Sequence, residues 1–130
     1  MTIEPEVLSW VAAEMRRMTG GFVNELAVAW PVLATGLARP VIAAVGSERH
    51  VTVLPDRVFR YAVRVGASGV VLAHNHAVRS GPSRADEAVT RRLVAAGRIL
   101  SVPLIAHLVV EPGVVHELVG LVKLPVEVSS

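Results

Sequence analysis

The stretch Val70-Val71-Leu72-Ala73-His74-Asn75-His76-Ala77-Val78-Arg79-Ser80-Gly81-Pro82-Ser83-Arg84-Ala85-Asp86 decides how this chain reads. Val70 to Ala73 is an unbroken apolar run, as expected of a central strand buried on both faces. His74 and His76 close it, two residues apart. Side chains at i and i+2 of an extended segment point the same way, so both imidazoles can converge on one cation. After a loop, Ser83-x-x-Asp86 reads as a capping box opening a helix. A loop of this length can fold the helix start back toward the strand end and bring Asp86 in as an oxygen ligand. Two histidines and a carboxylate leave a fourth tetrahedral position for water, the open arrangement of a catalytic zinc site. Taken singly, each half has a simpler explanation. The capping box accounts for Ser83 and Asp86, and loop histidines bond to backbone. The joint pattern is much more specific, and Ser83 can cap the helix while its hydroxyl faces the water.

Outward from this stretch, strands and helices alternate. Residues 4–18 read as a helix with Val7, Val11, Met15 and Met18 on one face, ended by Gly20 and Gly21. Phe22 to Val32 reads as a strand, Ala34-Thr35-Gly36 as a turn, Arg39 to Val45 as a second strand and Val51 to Leu54 as a third. Pro55-Asp56 opens a helix with Asp56 as N-cap and Gly66 as its stop. Ser83 to Leu100 is the clearest helix, with Ala85, Val89, Leu93, Ala96 and Leu100 as its apolar stripe. Leu104 to Val110 is another buried strand, and Pro112-Gly113 turns into a last one from Val114. The expected fold class is α/β or α+β: a mixed sheet flanked by helices.

The composition narrows the chemistry. With 130 residues, 52% of them hydrophobic and 18% charged, the chain buries a core and reads as a single domain. It contains no cysteine, which excludes disulfide scaffolds, thiolate metal sites and thiol catalysis. Any metal must be held by His, Asp or Glu. The pI of about 9.9 suggests nucleic acid, but the net charge is only +2. Lys123 is the single lysine and Tyr61 the single tyrosine, so the high pI reflects a flat titration curve rather than a strong field. Met1 to Trp10 does not read as a secretory leader. The longest charge-free apolar stretch, Leu26 to Ala38, is shorter than the ~20 residues a bilayer needs. The expectation is a cytoplasmic protein without a membrane partner.

Several short runs then carry a likeness: His74-Asn75-His76, Pro82-Ser83-Arg84-Ala85-Asp86, Thr90-Arg91-Arg92-Leu93-Val94-Ala95-Ala96-Gly97 and Ala106-His107-Leu108. Pro55-Asp56-Arg57-Val58-Phe59-Arg60 adds to them upstream. Together they resemble the RadC-like branch of the JAMM (MPN+) metalloprotease fold, over roughly Phe22 to Leu121. The resemblance implies a JAMM/MPN-like, cytidine-deaminase-like sandwich: a core over 22–121 behind an N-terminal helix within 1–20. It implies a zinc ion held by His74, His76, Asp86 and a water. Glu25, 49 residues before His74, is the matching general base. Ser83 would donate to the oxyanion of a peptide or isopeptide carbonyl. His107 aligns with a family histidine and is expected to be a buried, second-layer residue. Asn75 is expected to be a turn residue, and His50 and His116 surface residues.

The sequence also departs from the family pattern. Ala77 replaces a proline, six residues separate His76 from Ser83 where seven are usual, and Ala106 replaces an acid. A second class therefore stays open: a catalytically weak or inactive interaction module of the kind associated with DNA repair. The arginines at 57, 60, 64, 91, 92 and 98 would be its nucleic-acid contacts, or two solvated helix faces. A His–Asn–His nuclease fits poorly, because its three residues are dispersed over a ββα unit. The low charge fraction is compatible with a homodimer.

Overall fold

β4 (Gly69–Asn75) is buried along its whole length, as its apolar run requires. It is the middle of a mixed sheet in a computed structural model that describes residues 3–20, 24–46 and 52–120. On one side β4 pairs antiparallel with β1 (Leu26–Leu33), and on the other parallel with β5 (Leu104–Glu111). β5 continues antiparallel into β6 (Val114–Glu117). The outer side of β1 is shared by β2 (Gly36–Leu37) and β3 (Val41–Val45), both antiparallel. Among the described residues, three helices complete the expected α+β architecture: α1 (Pro5–Thr19), α2 (Pro55–Arg64) and α3 (Arg84–Leu100).

The period of two along the strands divides the core into two layers. Val28, Trp30, Val71, Ala73, Ala106, Leu108 and Val110 face α1, which covers them with Val11, Ala12 and Met15. Trp10 and Trp30 meet edge to face there, 6.4 Å between centroids. Ala27, Ala29, Val70, Leu72 and Leu104 point the other way, toward Val58, Phe59 and Ala62 of α2 and Leu93 of α3. His74 follows Val70 and Leu72 in this alternation, so it lies on the α3 side of the sheet.

Several expected boundaries are corrected. Residues 52–54 form no strand, and Val51 lies outside the described residues, as do Phe22, Val23, Gly21 and His50. β3 begins at Val41 rather than Arg39, and Pro40 just before it has no N–H to give a ladder. Leu54, not Asp56, is the N-cap of α2, with Pro55 in its first turn. Asp56 accepts instead from Arg60 one turn on, at 2.9 Å.

The inward face of α3 differs from the expected stripe. Its buried residues are Asp86, Thr90, Leu93 and Gly97, whereas Ala85 and Leu100 of the expected stripe are exposed. Two polar residues occupy the inward face because they serve the site beneath the helix. Gly97 is needed for contact: a Cβ there would stand 2.6 Å from the Val102 carbonyl and 3.1 Å from the Leu104 nitrogen.

Candidate metal centre

Strand register brings the candidate residues together. Ala27 pairs with His74, so in an antiparallel ladder the residue two before Ala27, Glu25, falls opposite His76. On the parallel side Leu72 is level with His107 and Asn75 with Val110, which puts Glu111 next to His76. Glu25, His74, His76, His107 and Glu111 therefore share the face beneath the start of α3. All five are buried.

The capping box of α3 sets the position of Asp86. Ser83 Oγ accepts from the Asp86 N–H at 3.0 Å, and Asp86 Oδ2 accepts from the Ser83 N–H at 2.8 Å. The same carboxylate faces both imidazoles. Oδ1 is 3.2 Å from His74 Nε2 and Oδ2 is 3.2 Å from His76 Nε2. The two Nε2 atoms are themselves 3.2 Å apart. Glu25 Oε1 approaches His76 Nε2 at 3.8 Å. Ligand atoms of Glu25, His74 and His76 all lie within 4.8 Å of one another, a group able to hold a metal ion.

The donor set fits a small divalent cation. Tetrahedral zinc binds His nitrogen and carboxylate oxygen at about 2.0–2.2 Å, which separates neighbouring ligand atoms by roughly 3.3–3.6 Å. The three contacts of 3.2 Å are close to that separation. Two ring nitrogens this close need a cation or a proton between them. Consistent with this, the hydrogen bond to Asp86 pushes the His76 pKa up to about 9, against its burial, with help from Glu111. Burial works to raise the Asp86 carboxyl, but its bonds from His74, His76 and the Ser83 N–H hold it well below the usual range.

The far side of each imidazole is anchored as well. His74 Nδ1 meets His107 Nε2 at 2.8 Å, and His107 Nδ1 meets Thr90 Oγ1 at 2.7 Å. Thr90 Oγ1 donates to the Asp86 carbonyl at 2.8 Å, so it accepts from His107 Nδ1–H. His107 Nε2 then accepts from His74 Nδ1–H, and His74 Nε2 is left facing Asp86 and His76. Burial holds His107 neutral, its pKa lowered to about 3. His107 is buried, as expected, and its partners are side chains. Thr90 heads the Thr90–Gly97 run of the helix, but no local signal in the sequence pairs it with His107.

Other assignments change. Asn75 is the last residue of β4 rather than a turn residue. Its Oδ1 accepts from the Leu26 N–H at 2.7 Å and its Nδ2 donates to the Asn24 carbonyl at 3.3 Å. The amide thereby brackets Glu25 on both sides. Arg57, Arg60, Arg64, Arg91, Arg92 and Arg98 are all exposed. His116 is not a plain surface residue, since its Nε2 lies 2.9 Å from Glu111 Oε1. Glu111 was missed altogether. Its signal was an acid four residues after His107 in an apolar strand, hence on the same face. Beside it a cavity of about 290 Å³ opens, lined by Arg16, Thr19, Asn75, His76, Ala77 and Glu111 among others.

The profile of the RadC-like JAB domain matches residues 6–118. The chain belongs to this family. Curated relatives agree with the RadC-like JAB assignment. The UPF0758 protein STH371 of Symbiobacterium thermophilum is 50% identical over 62 residues, covering 45% of this chain and 26% of that protein. The UPF0758 protein of Thermotoga maritima is 45% identical over 69 residues, covering 51% of this chain and 30% of its own length. That of Rubrobacter xylanophilus is 42% identical over 71 residues, 54% of this chain and 31% of the relative. The matched stretch thus spans less than a third of each of these relatives. Among the described residues of this RadC-like chain, no helix is long and apolar enough to cross a membrane.

Proposed function

We propose that this RadC-like JAB domain is a zinc-dependent hydrolase of peptide or isopeptide bonds. One observation carries the reading: Asp86 lies 3.2 Å from both His74 Nε2 and His76 Nε2, themselves 3.2 Å apart, with Glu25 just beyond. His74, His76 and Asp86 are the ligands, because their donor atoms are mutually nearest. A zinc ion there supplies Lewis acidity and lowers the pKa of a water toward ~7.

The chain's own residues do the rest. Glu25, at 3.8 Å from His76 Nε2, is near enough to accept the water's proton, while Asp86, which faces both imidazoles at 3.2 Å, takes the ligand role. It then returns the proton to the leaving amine. The Ser83 hydroxyl accepts one hydrogen bond as the helix cap, which leaves its own proton to donate to the carbonyl oxygen as charge develops. The bracketing amide of Asn75 keeps the Glu25 backbone in register with His76.

Metal content of freshly purified protein, and uptake after stripping, test this reading. One equivalent of zinc is expected in the wild type and none in His76→Ala. Loaded wild type should cleave an unfolded protein or an isopeptide-linked peptide, and loaded Glu25→Gln should not. No metal in either state overturns the reading. Full metal without cleavage of either substrate leaves a metal-bound binding module.

A further inference from the structure

Glu111 ends β5 with its side chain almost wholly buried, and no part of the proposed chemistry uses it. A buried carboxylate is costly unless every oxygen is engaged. Here both are. Oε2 receives His76 Nδ1 and the Gly81 N–H, each at 2.8 Å. Oε1 receives His116 Nε2 at 2.9 Å. Burial pushes its pKa up, but the bonds from His76, His116 and Gly81 outweigh this and keep the carboxyl below its ordinary range. Its own carbonyl accepts from Arg16 Nη2 at 3.1 Å, which ties α1 to the same strand end.

One group thus acts on two things at once. It fixes the His76 ring with the proton on Nδ1, leaving Nε2 to face Asp86 and His74. It also pins the loop 77–82 at Gly81, whose φ of 75° lets the N–H turn inward. That loop leads directly into Ser83 and Asp86. Ser80 Oγ, 3.3 Å from His76 Nδ1, closes the loop over the ring. The other ligand histidine is held by the neutral His107–Thr90 pair, so the anion supports His76 alone.

We propose that Glu111 is a positioning residue of the metal centre: through His76 and Gly81 it sets the metal affinity of a site it never touches. The proposal rests on the metal reading above, and its test separates the two. Zinc affinity is measured by competition with a chelating dye for wild type, Glu111→Ala and Glu111→Gln. The tautomer of His76 is read from long-range proton–nitrogen spectra of the metal-free protein, at a pH high enough for the ring to be neutral. Losing a partner of this kind weakens metal binding ~10–100-fold. Glu111→Ala should fall in that range, with His76 divided between its two tautomers. Glu111→Gln keeps an acceptor oxygen without the charge. It should keep the Nδ1–H tautomer and bind about 10-fold more weakly than wild type. A merely structural role would leave the tautomer untouched in both.

Binding by either folded variant within twofold of wild type overturns the proposal, as does an unchanged His76 tautomer in Glu111→Ala. Should Glu111→Ala fail to fold, the Glu111→Gln affinity decides. Should wild type take up no zinc, the metal reading falls, and metal-free spectra recorded well above the His76 pKa decide the role of Glu111.

Discussion

At the scale of single residues, His76 is the pivot. It faces Asp86 and Glu25 through Nε2 and Glu111 through Nδ1. Its pKa of about 9 in the metal-free chain means that at neutral pH an incoming ion must displace its proton. Zinc uptake at pH 7 should release about one proton, and apparent affinity should rise up to tenfold per pH unit until about pH 9. Calorimetry in two buffers of different ionisation heat measures this directly. Uptake without proton release would mean that the ion binds away from His76. Ser83 allows a separate test. Replacing it with Ala removes the N-cap of α3 and should cost about 1 kcal/mol in denaturant unfolding. The zinc-loaded protein should also lose hydrolysis beyond what that stability loss explains. An unchanged rate would remove Ser83 from the chemistry.

At the scale of elements, the parity of the strands does most of the positioning. The HxH pair and its buried strand were legible because apolar runs and i, i+2 spacing are local signals. Glu25 was legible only through resemblance, since its place opposite His76 depends on the β1–β4 register. Glu111 and Thr90 were missed for the same reason: their value lies in long-range partners. α3 was misread by rotation. Periodicity assigned its face to Ala85, Ala96 and Leu100, but Asp86 and Thr90 turn inward because the site offers them hydrogen bonds. Gly97 makes the rotated face testable. Gly→Ala in a helix gains about 1 kcal/mol of propensity. A Cβ 2.6 Å from the Val102 carbonyl forces the turn after α3 to shift, an overpacking cost of ~1–3 kcal/mol. Gly97→Ala should therefore lower the urea midpoint. A rise would place that face of the helix elsewhere.

At the scale of the whole molecule, the same groups give the metal-free chain a stability maximum near pH 6–7. His76 has a folded pKa raised to about 9, so its contribution is complete below its unfolded value and is lost as pH rises through about 9. His107, lowered to about 3, refuses a proton that the unfolded chain accepts, so stability falls from about pH 6.5 downward. Asp86 adds to the acid limb, since its folded pKa is depressed and its contribution disappears as pH drops below the ordinary carboxylate range. Urea midpoints across pH should trace this dome. Saturating zinc should lift it by about 2.7 kcal/mol at 100 times the dissociation constant and flatten the alkaline limb, because the ion replaces the His76 proton. An alkaline limb that zinc leaves unchanged would separate His76 from the metal.

The proposed chemistry requires a single ion among His74, His76 and Asp86, with Glu25 beside it. Anomalous diffraction at the zinc edge from crystals of the loaded chain tests this most directly. One peak is expected within bonding distance of His74 Nε2, His76 Nε2 and an Asp86 oxygen, with the Glu25 carboxylate outside that distance. No peak there, or one ligated by Glu25 in place of Asp86, would contradict it.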